Sequence, residues 1–448
     1  GSIQTSKISL IIMMKKNRTI YFLLALVCLG LQSCLFQEED YFDDSSANRA
    51  TADVKRCSEL LEAAPNGWVM EYYVGKDYSL GGITLLCKFD GQRVTMASQI
   101  AGADETVSSL YSVKSEQATM LSFDTYNYLV HYFGQPQGSM ADDPNGTLGG
   151  DYEFIISSAS AERIELKGKK YGNRIVMKAL TEDQTWKQYL TKIKKVEDDA
   201  FFYEYDLRMD GLYTGQMLRS NYTFIVTYYD EVGKVYQKTV PFMFTTDGMR
   251  FHEPVTIDGQ TMQNFVWKNE EISFVCTDEG ATGVKMKGIY IDGYQSYDYY
   301  PGTYLMDFYR LNGATNQLEV ASQEIQLVKN EDGKSYWLKG LEYDILVTYD
   351  KPRGGLSILP QFLKKVQGGY VYLAMWDLMN DYVLRSSAIG LISYPTTDGI
   401  YLVDNGVWMG EISGFIFGVY DSQDEEASFM GYTDAVAAIR LIKKTIEE

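Results

Sequence analysis

Residues 68–97 read WVMEYYVGKDYSLGGITLLCKFDGQRVTMA. Two apolar runs, Trp68–Val74 and Ile83–Phe89, flank a Gly81-Gly82 break, and Asp90-Gly91 separates the second run from Arg93–Ala97. Asp-Gly between apolar runs marks a hairpin, because the tight turn needs positive φ. The same grammar continues outward. Ile164-Glu165-Leu166-Lys167 alternates, and a turn at Tyr171-Gly172-Asn173 leads into Arg174–Leu180, a second hairpin with one wet face. Further strand patterns fall at Asn221–Tyr229, Val240–Phe244, Gln263–Trp267, Ile272–Cys276, Thr303–Arg310, Glu319–Val328, Tyr336–Leu338, Tyr370–Leu378, Gly399–Val403 and Phe415–Tyr420. Helical spacing is confined to Ala50–Ala64, ended by Pro65-Asn66-Gly67, to Trp186–Ala200, with a capping box at Thr181 and Gln184, and to Asp434–Lys444. The predicted class is mainly β: antiparallel β-barrel or β-sandwich domains with a few short helices. No short fixed repeat appears in the sequence, which argues against a solenoid or propeller. The polar run Asp278–Gly283 sets the expected boundary between an N-terminal domain (51–283) and a C-terminal domain (284–448), with a boundary near Phe201 as the alternative.

Composition agrees. The chain has 448 residues, 45% of them apolar, and 36 Tyr against 9 Pro, a balance that favours strands. A net charge of −19 argues against a nucleic-acid partner, which requires a basic field. Two histidines, His131 and His252, leave little room for His-based metal sites.

The N-terminus carries an address. Lys15, Lys16 and Arg18 precede the apolar run Ile20–Leu31, which is too short to span a bilayer core of about 20 residues. Leu31-Gln32-Ser33-Cys34 resembles a bacterial lipobox, with Gln32 departing from the usual small or apolar residue. The resemblance implies cleavage before Cys34 and lipidation there, with residues 1–33 comprising an upstream extension and signal peptide. Removing Lys7, Lys15, Lys16 and Arg18 takes the net charge from −19 to −23. Two or more acyl chains on one Cys anchor stably to a membrane without spanning it. Residues 34–50 form an acidic tether, with Glu38-Glu39-Asp40 and Asp43-Asp44. It resembles the export signal of surface-exposed Bacteroidota lipoproteins, which implies an outer-membrane anchor facing the cell exterior.

Of five cysteines, Cys28 leaves with the leader and Cys34 is the lipid site. Cys57, Cys87 and Cys276 lack metal spacing and read as buried free thiols, with one disulfide as an alternative. His252-Glu253-Pro254 is not HExxH, and no nucleophile elbow, P-loop or dinucleotide fingerprint occurs in the sequence. Asp142-Asp143-Pro144-Asn145-Gly146 has turn chemistry without calcium-loop spacing. His131, between Tyr128 and Phe133, reads as a packed histidine. No catalytic residue, metal or cofactor is expected. The candidate ligand-binding residues are Tyr294, Tyr297, Tyr299 and Tyr300, because tyrosines offer broad faces for sugar C–H surfaces and freeze few rotamers.

Asn66-Gly67-Trp68, Ser109-Leu110-Tyr111, Leu121–Asn127 (LSFDTYN), Gly150–Phe154 (GDYEF) and Leu166–Lys170 (LKGKK), in that order, resemble a Bacteroidota lipoprotein family whose domain is of unknown function. The match spans roughly residues 50–280, and the C-terminal part resembles β-rich surface lipoproteins only loosely. The resemblance implies a companion of starch-utilisation-type outer-membrane transporters and their surface lipoproteins, and it brings no catalytic or binding residues. The expectation is a non-catalytic accessory protein that captures a nutrient, a glycan or else a peptide, beside a transporter. The alternatives are a hydrolase using paired carboxylates and a structural or adhesive surface protein.

Overall fold

The computed structural model describes residues 46–136, 146–230 and 232–444. Cys34, the leader, residues 34–45 of the acidic tether and Asp142–Asn145 lie outside the described residues, and residues 46–50 of the tether are helical. The rest is mainly antiparallel β.

Eight strands between Trp68–Val74 and Arg174–Ala179 form an up-and-down barrel, each paired with the next and the last paired back to the first. The even strand count makes that closing pair antiparallel. Period-2 alternation places Trp68, Met70, Tyr72, Ile83, Leu85, Cys87 and Phe89 in the lumen. Val69 and Leu86 point outward into a separate cluster. Helix α1 (Ser46–Ala63) buries Cys57 and Leu61 against this barrel, and the Trp68 indole donates to the Leu61 carbonyl at 2.9 Å.

A second closed meander of eight strands runs from Glu204–Met209 to Val284–Ile289, which pair together. Its lumen is filled with aromatic rings, including Tyr205, Phe251, Phe274 and the stacked pair Phe224–Phe242 at 4.5 Å. After helix α2 (Tyr128–His131) in the first unit, helix α3 (Trp186–Asp199) joins the two barrels. Its Leu190 packs on Val69, Leu86 and Ala97 outside the first barrel, while Ile193 and Val196 enter the core of the second.

The third unit closes eight strands in another way. Gly302–Asn312 leads a meander to Gly355–Ile358, which pairs with Leu391–Thr396 and then Gly399–Asp404. The end of the long strand Phe429–Lys443 pairs with Gly399–Asp404, and its other edge returns to Gly302–Asn312. Its first half pairs with Gly414–Tyr420, starting a side sheet through Gly369–Asp377 and Gln361–Val366.

Three local expectations are corrected. The C-terminal helix expected at Asp434–Lys444 is this long strand, because pairing on both edges outweighs the helix propensity of its alanines. The capping box lies one turn later, at Thr185 and Gln188, because Thr181 and Gln184 offer their carbonyls to the Asn66 amide instead. Asp278–Gly283 is a turn inside the second barrel, joining Ser273–Cys276 to Val284–Ile289, so the expected 283/284 boundary cuts off a strand that closes that barrel. Cys57, Cys87 and Cys276 are buried free thiols.

Candidate ligand-binding cleft

Both meander lumens are packed with side chains, so a ligand has to sit outside them. The candidate tyrosines do not assemble into one accessible face. Tyr300 is 0% exposed and its hydroxyl donates to the Gly354 carbonyl at 2.8 Å. Tyr297 stacks on Tyr336 at 4.7 Å and donates to the Ser335 carbonyl at 2.8 Å. Tyr294 stacks on Phe201 at the junction of the second and third units. Only Tyr299 is exposed, with the Lys443 ammonium over its ring. Three of the four therefore hold the end of the third unit together. His131 is packed as expected, stacked on Tyr152 at 4.6 Å.

The segments that carry the family resemblance are structural joints. The Asp151 carboxylate accepts the Lys170 N–H at 2.7 Å and the Tyr171 N–H at 3.2 Å, which locks GDYEF onto the LKGKK turn. A Cβ on Gly168 would lie 2.0 Å from that carboxylate, so only glycine fits the joint. Asn127 caps α2 by accepting the Leu129 N–H.

The outer walls of the first two barrels meet in a cleft. Tyr73 and Glu71 come from the first strand, Arg174, Val176 and Lys178 from the last strand, and Arg163 from its neighbour. Alternation turns these side chains outward, opposite the lumen residues Met70, Tyr72 and Met177. The second barrel supplies Arg250, His252, Gln263 and Asn264. Together they line a hollow of about 380 Å³. A second hollow of about 250 Å³ shares His252 and is lined by Tyr78, Val240, Pro241, Pro254 and Val255, with Asp77, Lys238 and Glu253 beside them.

Glu71 is ion-paired with Arg250 and, at 2.7 Å, with Lys178. Burial alone raises its carboxyl, but Arg250 and then Lys178 outweigh this and hold it below the ordinary glutamate value. Arg163 is tied to Glu165 at 3.0 Å at the rim. The Arg174 guanidinium has no ion-pair or hydrogen-bond partner among the described residues. His252 lies between Tyr73 and Tyr78, with ring centroids 4.2 and 4.1 Å away, and burial lowers its affinity for a proton. The buried Tyr73 hydroxyl faces the Arg250 guanidinium, and its own proton meets no acceptor among the described residues. Gly82, the cross-strand partner of Tyr73, makes room for its ring. A Cβ there would lie 2.7 Å from the ring carbons. Gly82→Val is expected to displace Tyr73 and lower stability by about 1–2 kcal/mol, the usual effect of overpacking. Urea denaturation checks this, and an unchanged midpoint would show that the ring yields freely.

No sequence motif announced this cleft. Its residues are scattered from position 71 to 264, and His252 reads locally as part of a failed zinc motif. Among the described residues no three His, Cys, Asp or Glu side chains converge on a metal position.

Comparison with known proteins finds two family matches. The family model of DUF4302, a domain of unknown function, matches residues 38–269, more than half of the chain. A second domain of unknown function, DUF4987, matches residues 277–416. The seam between them falls inside the second barrel. A solved structure of a protein with unknown function from the DUF3598 family of Nostoc punctiforme is similar at 7% identity. That match covers 55% of this chain and 99% of the other with a TM-score of 0.15, and it carries no argument. No curated protein matches.

Proposed function

The chain belongs to the DUF4302 family, and from that premise we propose a non-catalytic capture protein. It is lipid-anchored through Cys34 in the outer membrane of a Bacteroidota cell and faces the exterior. It binds a nutrient, foremost a glycan, beside an outer-membrane transporter and companion surface lipoproteins. The observation that carries this reading is the cleft between the first two barrels. It is built on strands of two closed barrels and is therefore rigid, and it pairs a polar hollow with an apolar one, as small-molecule sites do. The non-catalytic part is supported by Glu71, the single carboxylate of the larger hollow. Held ionised by Arg250 and Lys178, it is a poor proton donor for glycoside hydrolysis, and the further carboxylates of the cleft, Asp77 and Glu253, line the smaller hollow.

Titration of the full-length protein against purified glycans and peptides is expected to give saturable binding with no product formed. Turnover, or silence across the panel, overturns the capture reading. Metabolic labelling with palmitate tests the anchor: label is expected in the wild type and absent from Cys34→Ala. Equal labelling of the two removes Cys34 as the lipid site.

A further inference from the structure

The capture reading leaves the ligand's chemistry open. Resting on that reading, we infer that the cleft takes an acidic saccharide. Its oxyanion, whether carboxylate, sulfate ester or phosphate ester, sits among Arg174, Arg163, Lys178 and Tyr73. Its sugar ring lies along the Tyr78–His252 wall.

The first argument is charge. The chain carries −19, yet in the larger hollow four cations face one carboxylate. That carboxylate is already engaged by Arg250 and Lys178. Arg163 is paired with Glu165, but Arg174 has no partner among the described residues, so its positive charge is uncompensated on the side open to solvent. Like charges held close repel, and an anion of the ligand is the natural counter-charge. Guanidinium groups suit it further, because their planar forks match carboxylate, sulfate and phosphate oxygens in pairs.

The second argument is independent of charge. A buried hydroxyl whose proton meets no acceptor destabilises the free protein, and such groups are rare in folded chains. The Tyr73 hydroxyl has Arg250 beside its oxygen but no acceptor for its proton among the described residues, and it lines this hollow. A ligand oxygen entering the hollow supplies the missing acceptor.

The third argument is shape. The cationic hollow and the hollow lined by Val240, Pro241, Pro254 and Val255 meet at His252, whose ring nitrogens bond to no protein group among the described residues. A molecule with a charged end and a ring bearing C–H faces matches both halves. A saccharide with an acidic substituent is such a molecule, whereas a bare inorganic anion fills only one half.

Calorimetric titration of the detergent-solubilised full-length protein tests this with oligosaccharides of one backbone in neutral, uronate, sulfated and phosphorylated forms. The acidic forms are expected to bind at least tenfold more tightly than the neutral one, and added salt should weaken them. The form bound most tightly identifies the oxyanion. Arg174→Glu, at an exposed rim position, is expected to remove the acidic preference. Tyr73→Phe is expected to weaken binding several-fold while leaving the melting temperature unchanged or higher, a combination that a purely structural tyrosine does not produce. Equal affinity for neutral and acidic forms, unaltered by Arg174→Glu, overturns the anionic assignment and leaves capture standing. Inorganic phosphate or sulfate binding as tightly as the acidic saccharide overturns the saccharide assignment. No binding of any saccharide overturns the saccharide assignment, and silence of the peptides as well overturns the capture reading.

Discussion

Trp68→Ala is expected to lower the stability of the first barrel by about 4 kcal/mol, the range for emptying a large aromatic site in a packed core. Trp68 is 0% exposed and opens the first strand, paired with Cys87 on one side and Ala179 on the other. It therefore stands where the barrel closes. Its indole also donates to Leu61, one of the last four carbonyls of α1, which no bond inside the helix satisfies. The substitution thus opens a cavity at the barrel end and releases the helix that covers it. Trp68→Phe keeps most of the ring and loses the donor, so a smaller loss of about 1–2 kcal/mol is expected. Hydrogen exchange separates the units: amides of residues 46–63 and 68–179 should exchange faster, with those of 204–289 much less affected. A Trp68→Ala protein within 1 kcal/mol of wild type in urea would remove the indole from this role.

Arg250→Met is expected to destabilise the protein by about 2–3 kcal/mol at pH 7, because it leaves Glu71 buried with Lys178 alone. The sign of the pH dependence follows from the carboxyl. In the wild type its folded value lies below its unfolded value of about 4.3, so its contribution is complete above that pH and lost as pH falls through the folded value. In Arg250→Met, burial becomes the dominant influence and raises the folded value above the unfolded one. The penalty is then absent in acid and grows as pH rises through the unfolded value. The gap between wild type and variant should be smaller near pH 4 than at pH 7, and should close only below the folded value of the wild type. Adding Glu71→Gln to Arg250→Met removes the stranded charge and should recover most of the loss. A gap of equal size at both pH values would show that Arg250 acts by packing alone.

The cleft escaped sequence reading for a physical reason. Arg174 and Lys178 look like ordinary wet-face residues of a hairpin, and Glu71 is one acid among many. Nothing local marks them as neighbours of Arg250 and His252, which follow more than seventy positions later. The tyrosines misled for the converse reason. Tyr297, Tyr299 and Tyr300 sit in a polar, turn-like stretch, but the turn folds Tyr297 and Tyr300 back over the third unit, where their hydroxyls meet backbone carbonyls. The family segments were legible as a set, and the structure shows them to be joints such as Asp151 on the Lys170–Tyr171 turn.

By itself the sequence determined the β class, the hairpins at Asp90-Gly91 and Gly172, the two long helices and the burial of the three thiols. Each follows from local periodicity or turn chemistry, which neighbouring residues decide among themselves. Only the tertiary structure decided that sixteen of the strands close into two filled meander barrels, that Ala435–Leu441 is a strand, and that the two outer walls enclose a cationic cleft. Closure, edge pairing and the meeting of walls depend on contacts between distant segments, which no local pattern encodes.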